Sequence, residues 1–265
     1  MGQGKGAAFA LAKLYPAVSL FAMEAAEYRK MAAVEDGMWF YRALHAHVRR
    51  ELTAHYGGRP ARMLDAGCGT GGLIRRLAAV EPAWRWTGVD VEPLACALAR
   101  ERCVGEIREA SVLALPFGEG EFDAVVLSDV LYHLDDDAAA LWEAHRVLRP
   151  GGVLVVNVPA YRWLWSYHDE ATHARRRYTR GEVVGKLRAA GFGAVRATHW
   201  NALPLPLVVV RRKLLPAPRG GSDVRLYPVP VEALFRAAMA VERGWLSLAG
   251  SLPFGSSILA RAVKR

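Results

Sequence analysis

One segment restricts this chain more than any other: Leu64-Asp65-Ala66-Gly67-Cys68-Gly69-Thr70-Gly71-Gly72. A short strand at Arg62–Asp65 runs into it, and a helix from Gly71 to Val80 leaves it. Glycines at such a turn let the backbone approach a ligand closely, because they carry no Cβ. The turn alone suits a dinucleotide. Asp65 narrows the choice: a carboxylate at the strand end attracts an amino acid's ammonium and repels a pyrophosphate. That disfavours a nicotinamide-dependent dehydrogenase; the ligand-free alternative is a tight strand–helix turn.

Around this turn, short apolar runs alternate with helical stretches. Strands are expected at Trp84–Asp90, Ile107–Ser111, Phe122–Ser128 and Val153–Val158, with helices at Pro93–Arg102 and Asp136–Leu148. Such alternation, with nearly continuous apolar strands, indicates an α/β fold with a doubly wound parallel sheet. Further on, a helix is expected at Thr179–Ala190 and strands at Ala194–Trp200 and Ser257–Val263. Val231, Leu234, Phe235, Ala238, Val241, Trp245 and Leu248 recur at helical spacing, which predicts a helix over Val231–Leu248 packed by that stripe.

The ordered motifs resemble class I S-adenosylmethionine (SAM)-dependent methyltransferases over roughly residues 35–200. The glycine segment is similar to the family's first motif, which assigns cofactor contacts to Asp65, Ala66, Gly67, Cys68, Gly69 and Gly71. The resemblance makes Asp90, followed by Val91, the acid that accepts both ribose hydroxyls, and places adenine beside Ser111 and Val112. Ser111 departs from the Asp often found there. Ser128 ends the fourth strand, and Leu148-Arg149-Pro150-Gly151-Gly152 resembles the turn before the fifth. The family implies a Rossmann-like, seven-stranded sheet with an antiparallel last strand. It divides the chain into an N-terminal helical lid region (1–60), a SAM-binding core (61–200), a helical, apolar insert (201–255) and a closing strand (256–265).

A sulfonium-bound methyl is already electrophilic, so alignment and exclusion of water dominate such chemistry, and a base helps where the acceptor carries a proton. In open α/β sheets the site lies beyond the carboxyl ends of the strands. The loop after the fourth strand offers Tyr132 and His133, the latter as first choice for a base. The loop after the fifth holds Tyr161, Trp165, His168, Asp169, His173, Arg176 and Tyr178, similar to the Pro-Ala…Asp…His-x-Arg-Arg-Tyr stretch of a bacterial small-molecule methyltransferase subgroup. His168 and His173 join His133 as catalytic candidates, and the remainder are expected to contact substrate. Trp39, Tyr41 and Arg42 resemble an aromatic lid over SAM.

Charge divides unevenly. Residues 1–170 hold 18 Lys/Arg against 22 Asp/Glu, whereas residues 171–265 hold 17 against 4. That asymmetry fits an anionic partner or a solvated basic surface. Cys68, Cys96 and Cys103 have neither disulfide nor zinc spacing, and no metal is expected. The apolar stretch Ala7–Met23 is interrupted by Lys13 and Pro16 and lacks a signal-like cleavage site, so a cytoplasmic protein is the expectation, with this stretch packing against the domain and peripheral membrane contact as the lesser alternative. The leading reading is O- or N-methylation of a small molecule, a natural product or a lipid-linked or cell-envelope intermediate, yielding S-adenosylhomocysteine. RNA or protein methylation is the alternative, although no separate nucleic-acid module is visible. A non-catalytic SAM-binding partner protein is the third reading, and a homodimer is compatible with all three.

Overall fold

The computed structural model describes residues 25–217 and 222–265; the Ala7–Met23 stretch lies outside them. Seven strands, β1 (Ala61–Ala66), β2 (Trp84–Asp90), β3 (Glu106–Glu109), β4 (Phe122–Ser128), β5 (Leu148–Pro159), β6 (Phe192–Trp200) and β7 (Ser257–Lys264), form one sheet in the order 3-2-1-4-5-7-6. β1 to β5 pair in parallel, and β7 runs antiparallel between β5 and β6. The expected final hairpin is therefore present, with residues 201–255 inserted between its strands.

Both sheet faces are covered. Alternate residues of β4 and β5 enter opposite cores: Val125, Leu127, Leu154 and Val156 face one, and Ala124, Val126, Val153 and Val155 the other. This is the period of two expected of a strand buried on both sides. The first core is closed by α5 (Asp137–Val147) and α7 (Arg180–Ala189), the second by α2 (Trp39–Tyr56), α3 (Gly72–Val80) and α4 (Pro93–Arg102). Before α2 lies α1 (Ala25–Val34); α6 (Tyr167–Ala171) follows β5, and the insert contributes α8 (Leu205–Val209) and α9 (Val229–Ala249).

Three expectations needed correction. β3 stops at Glu109, leaving Ser111 in the following turn, and β5 starts at Leu148, with its register to β4 jumping past Pro150-Gly151-Gly152. The third concerns α9. Its buried residues are Glu232, Met239, Glu242 and Leu246, whereas Leu234, Val241, Trp245 and Leu248 face outward. Only part of the apolar stripe packs inward, Val231 and Phe235 bordering the cavity, because the two glutamates take inward positions and satisfy backbone donors there. Glu232 accepts from the amides of Trp39 and Tyr227, and Glu242 from those of Ala202 and Leu203.

Candidate active site

The glycine turn follows β1 and is pinned to β2, where the amides of Gly67 and Cys68 both donate to the Val89 carbonyl at 2.8 Å. Gly67 sits at φ 88°, and a Cβ there would lie 2.3 Å from Val130 Cγ2. Asp90 accepts from the Gly69 amide at 2.8 Å and from the Glu92 amide at 3.0 Å, so turn and carboxylate are fixed together. Asp65 is 2% exposed, and among the described residues its Oδ1 has no hydrogen-bond partner. Burial, reinforced by the negative charges of Asp90 and Glu35, pushes its carboxyl up to about 8. A buried, unpartnered carboxylate is costly until a cation completes it. The residues present therefore fit a ligand that brings an ammonium to Asp65.

Asp65 opens into a cavity of about 730 Å³, also bordered by Gly67, Cys68, Gly69, Asp90 and Val91. Ser111, Val112 and Ser128 line it too. Ala66 and Gly71 do not; they shape the turn from beneath, with Gly71 at φ 81° capping α3.

The roof combines both ends of the chain. Tyr28 and Met31 of α1 reach over the glycine turn, and a Cβ on Gly69 would lie 2.7 Å from Met31 Cε. Glu35 clamps this lid: it accepts from Thr70 Oγ1 at 2.6 Å and pairs with Arg102, which also meets Asp36 at 3.0 Å. Trp39 and Tyr41 line the cavity, and Trp39 stacks on Phe235 of α9 at 4.7 Å. Glu27 accepts from Ser222 Oγ at 2.7 Å, a second tie between lid and insert. Leu207, Val208, Leu215, Val224 and Tyr227 of the insert complete the roof. Arg42 is exposed and stands beside Arg76, outside the cavity.

On the acceptor side, β4 delivers Asp129 in a left-handed conformation, φ 58°. Backbone strain of this kind in a non-glycine residue concentrates at functional sites. Its Oδ1 accepts from Asn157 Nδ2 at 2.9 Å, and Asn157 Oδ1 in turn accepts from Trp200 Nε1 at 2.8 Å. Burial raises the Asp129 carboxyl to about 7, against the opposing Asn157 bond. Tyr132 and His133 line the same wall, their rings 4.0 Å apart. Burial holds His133 down to about 4, so the ring is neutral at neutral pH. His168 also lines the cavity; its Nδ1 accepts from the Asp223 amide at 3.2 Å, and burial lowers it to about 3.

Several predicted contacts lie elsewhere. Asp169 borders the cavity but is committed to Arg177 at 2.6 and 3.0 Å, a buried pair that fastens the loop after β5. His173 is exposed, at φ 53°. Tyr161 stacks on His199 at 5.2 Å, and the Trp165 carbonyl accepts from Lys213. Arg176 donates to the carbonyls of Leu134 and Asp135, and the Tyr178 hydroxyl donates to Asp137 at 2.7 Å. The side chains of Asp169, Tyr161, Arg176 and Tyr178 hold the loop down, because they find their partners in its own neighbourhood. The residues missed are Tyr28, Met31, Glu35 and Asp129. Asp129 stood beside Ser128 in a recognised motif. The lid residues left no local signal, since Glu35 meets Arg102 across 67 positions.

Fold and site together define an α/β domain that binds an adenosyl amino acid at the carboxyl end of its sheet. Residues 64–156 match the family model described as a methyltransferase domain. A demethylmenaquinone methyltransferase of Thermus thermophilus is 42% identical over 102 residues, 37% of this chain and 46% of that protein. A malonyl-[acyl-carrier protein] O-methyltransferase of Pseudescherichia vulneris is 30% identical over 180 residues, 62% of this chain and 66% of that protein. Against the first of these the alignment spans about half of the relative's length. The fold is shared with geranyl diphosphate C-methyltransferase from Streptomyces coelicolor, with a TM-score of 0.55 and 16% identity over 85% of this chain and 80% of that one. Residues 64–156 are thus a methyltransferase domain similar to those of SAM-dependent enzymes, and SAM is the cofactor this domain takes.

Proposed function

We propose that the protein transfers the methyl of SAM to an oxygen or nitrogen of a small, largely apolar acceptor, such as a natural product or a lipid-linked or cell-envelope intermediate. The carrying observation is the buried Asp65 carboxyl, whose Oδ1 has no hydrogen-bond partner among the described residues, at a roofed cavity of about 730 Å³. A roof built from lid and insert favours a small molecule over a polymer. The His-x-Arg-Arg-Tyr stretch supports the same reading by its likeness to small-molecule methyltransferases, although its side chains here brace the loop.

SAM supplies a methyl already activated by its sulfonium, leaving the protein to align and dehydrate the reactants. Asp65 would hold the ammonium, Asp90 the ribose, and Ser111 and Val112 the adenine edge. Trp39, Tyr41 and Tyr132 would exclude water and orient the acceptor. Asp129, held near neutrality in its proton affinity, is the better-matched proton acceptor, because a base works best near the operating pH. His133, neutral and close by, would hydrogen-bond the acceptor, and His168 would hold the rim through Asp223.

Calorimetry with SAM and S-adenosylhomocysteine tests the cofactor site, with Asp90→Ala as the control. Micromolar binding lost in the variant is expected, followed by an acceptor screen with labelled SAM. Absence of binding to the folded parent protein would overturn the proposal.

A further inference from the structure

The last helix turns part of its apolar stripe outward. Two of its glutamates point inward onto backbone amides, while no charged residue occupies an exposed position of α9. Leu234 (64% exposed), Val241 (68%), Trp245 (57%) and Leu248 (90%) form a stripe at helical spacing, extended by Ala237 and Gly244. Large exposed apolar surfaces on a folded chain mark binding faces.

The part of the chain that carries this stripe is basic. All four acids of residues 171–265 are committed: Glu182 pairs with Arg162, Asp223 with Arg212, and Glu232 and Glu242 accept backbone bonds inside. Arg236 and Arg243 lie half-buried toward the opposite side of the helix, Arg243 near His47 of α2, and Arg211-Arg212-Lys213 follow α8. Leu207 and Val210 of the insert are exposed on one side and border the cavity on the other, so apolar surface leads into the site.

We propose that the outward face of α9 docks the protein on an anionic lipid surface. A helix with one apolar face, carried by a region of strong net positive charge (17 Lys/Arg against 4 Asp/Glu over residues 171–265), lies in the plane of an anionic bilayer's headgroups, and no described helix is long and apolar enough to cross a membrane. A second copy is a poorer occupant, because a two-fold contact would bring together two copies of a region with 17 Lys/Arg against 4 Asp/Glu. Docking places the insert, and with it the cavity mouth, near the lipid. That an acceptor enters from the bilayer rests on the methyltransferase reading; the docking itself does not.

The test uses the full chain with vesicles of phosphatidylcholine containing 30% phosphatidylglycerol, and with phosphatidylcholine alone, read by flotation. Binding to the anionic vesicles is expected, together with at least about tenfold weaker partitioning for the combined Leu234→Gln, Trp245→Gln and Leu248→Gln variant. These positions are exposed, so the variant's circular-dichroism melt should stay within about 2 °C of the parent. No vesicle binding, or binding the variant retains, overturns the proposal. So does a parent dimer by light scattering that the variant dissociates, which would make the stripe a self-association face. S-Adenosylhomocysteine affinity is measured on the same samples, so failure of the cofactor site reads separately from failure to dock.

Discussion

Asp65 is where function opposes stability. Its folded carboxyl holds a proton up to about 8, far above an unfolded Asp. The folded chain therefore binds more protons than the unfolded one between roughly pH 4 and 8, and ligand-free stability falls as pH rises through that window. Asp65→Asn should remove this slope and raise the ligand-free melting temperature at pH 8 by at least ~2–4 °C, while abolishing SAM binding; thermal melts across pH check it. Because the SAM ammonium requires the ionised form, binding at pH 7 should release close to one proton in the parent. Calorimetry in buffers of different ionisation enthalpy reads that number. For the proton acceptor, Asp129→Asn should lower kcat by about 10²–10⁴ and erase the acidic limb of the pH–rate profile. His133→Gln should slow turnover yet keep the limb; a limb lost with His133 instead would reassign the base.

Among the elements, α1 and α9 matter most because both roof the site without belonging to the sheet. The lid is held by Glu35, whose buried carboxylate joins Thr70 on the glycine turn to Arg102 on α4. Glu35→Ala leaves Arg102 with Asp36 as its ion-pair partner and its bonds to Thr70, and should free α1. A roughly tenfold weaker SAM affinity is expected, about 1.4 kcal/mol, with faster proteolysis between residues 25 and 40. Unchanged affinity would show that α1 contributes no closure. In α9 the helical period was legible but its orientation was not. A burial pattern read from hydrophobicity assumes that the apolar side faces the core, and buried glutamates capping distant amides reverse that assumption for part of the stripe.

For the whole molecule, lid and insert meet over the cavity through Trp39–Phe235 and Glu27–Ser222. Cofactor binding should thus register at both ends of the chain. At about 100 times its Kd, S-adenosylhomocysteine should stabilise the fold by ~2.7 kcal/mol, with hydrogen exchange slowed in α1 and around Tyr227–Phe235 as well as at the glycine turn. Protection confined to the turn would mean that the roof is not coupled to the cofactor. The sequence by itself determined the sheet, because strand runs, glycine turns and the acids at Asp65 and Asp90 are local patterns whose geometry follows from backbone and charge. Only the tertiary structure decided which loop residues reach the cavity. Tyr161, Trp165, Arg176 and Tyr178 sat in a recognisable stretch, yet each found a partner in the surrounding structure. Tyr28, Met31 and Glu35 reached the site from outside every motif. Side-chain destinations of that kind depend on partners tens of positions away, which no window of sequence contains.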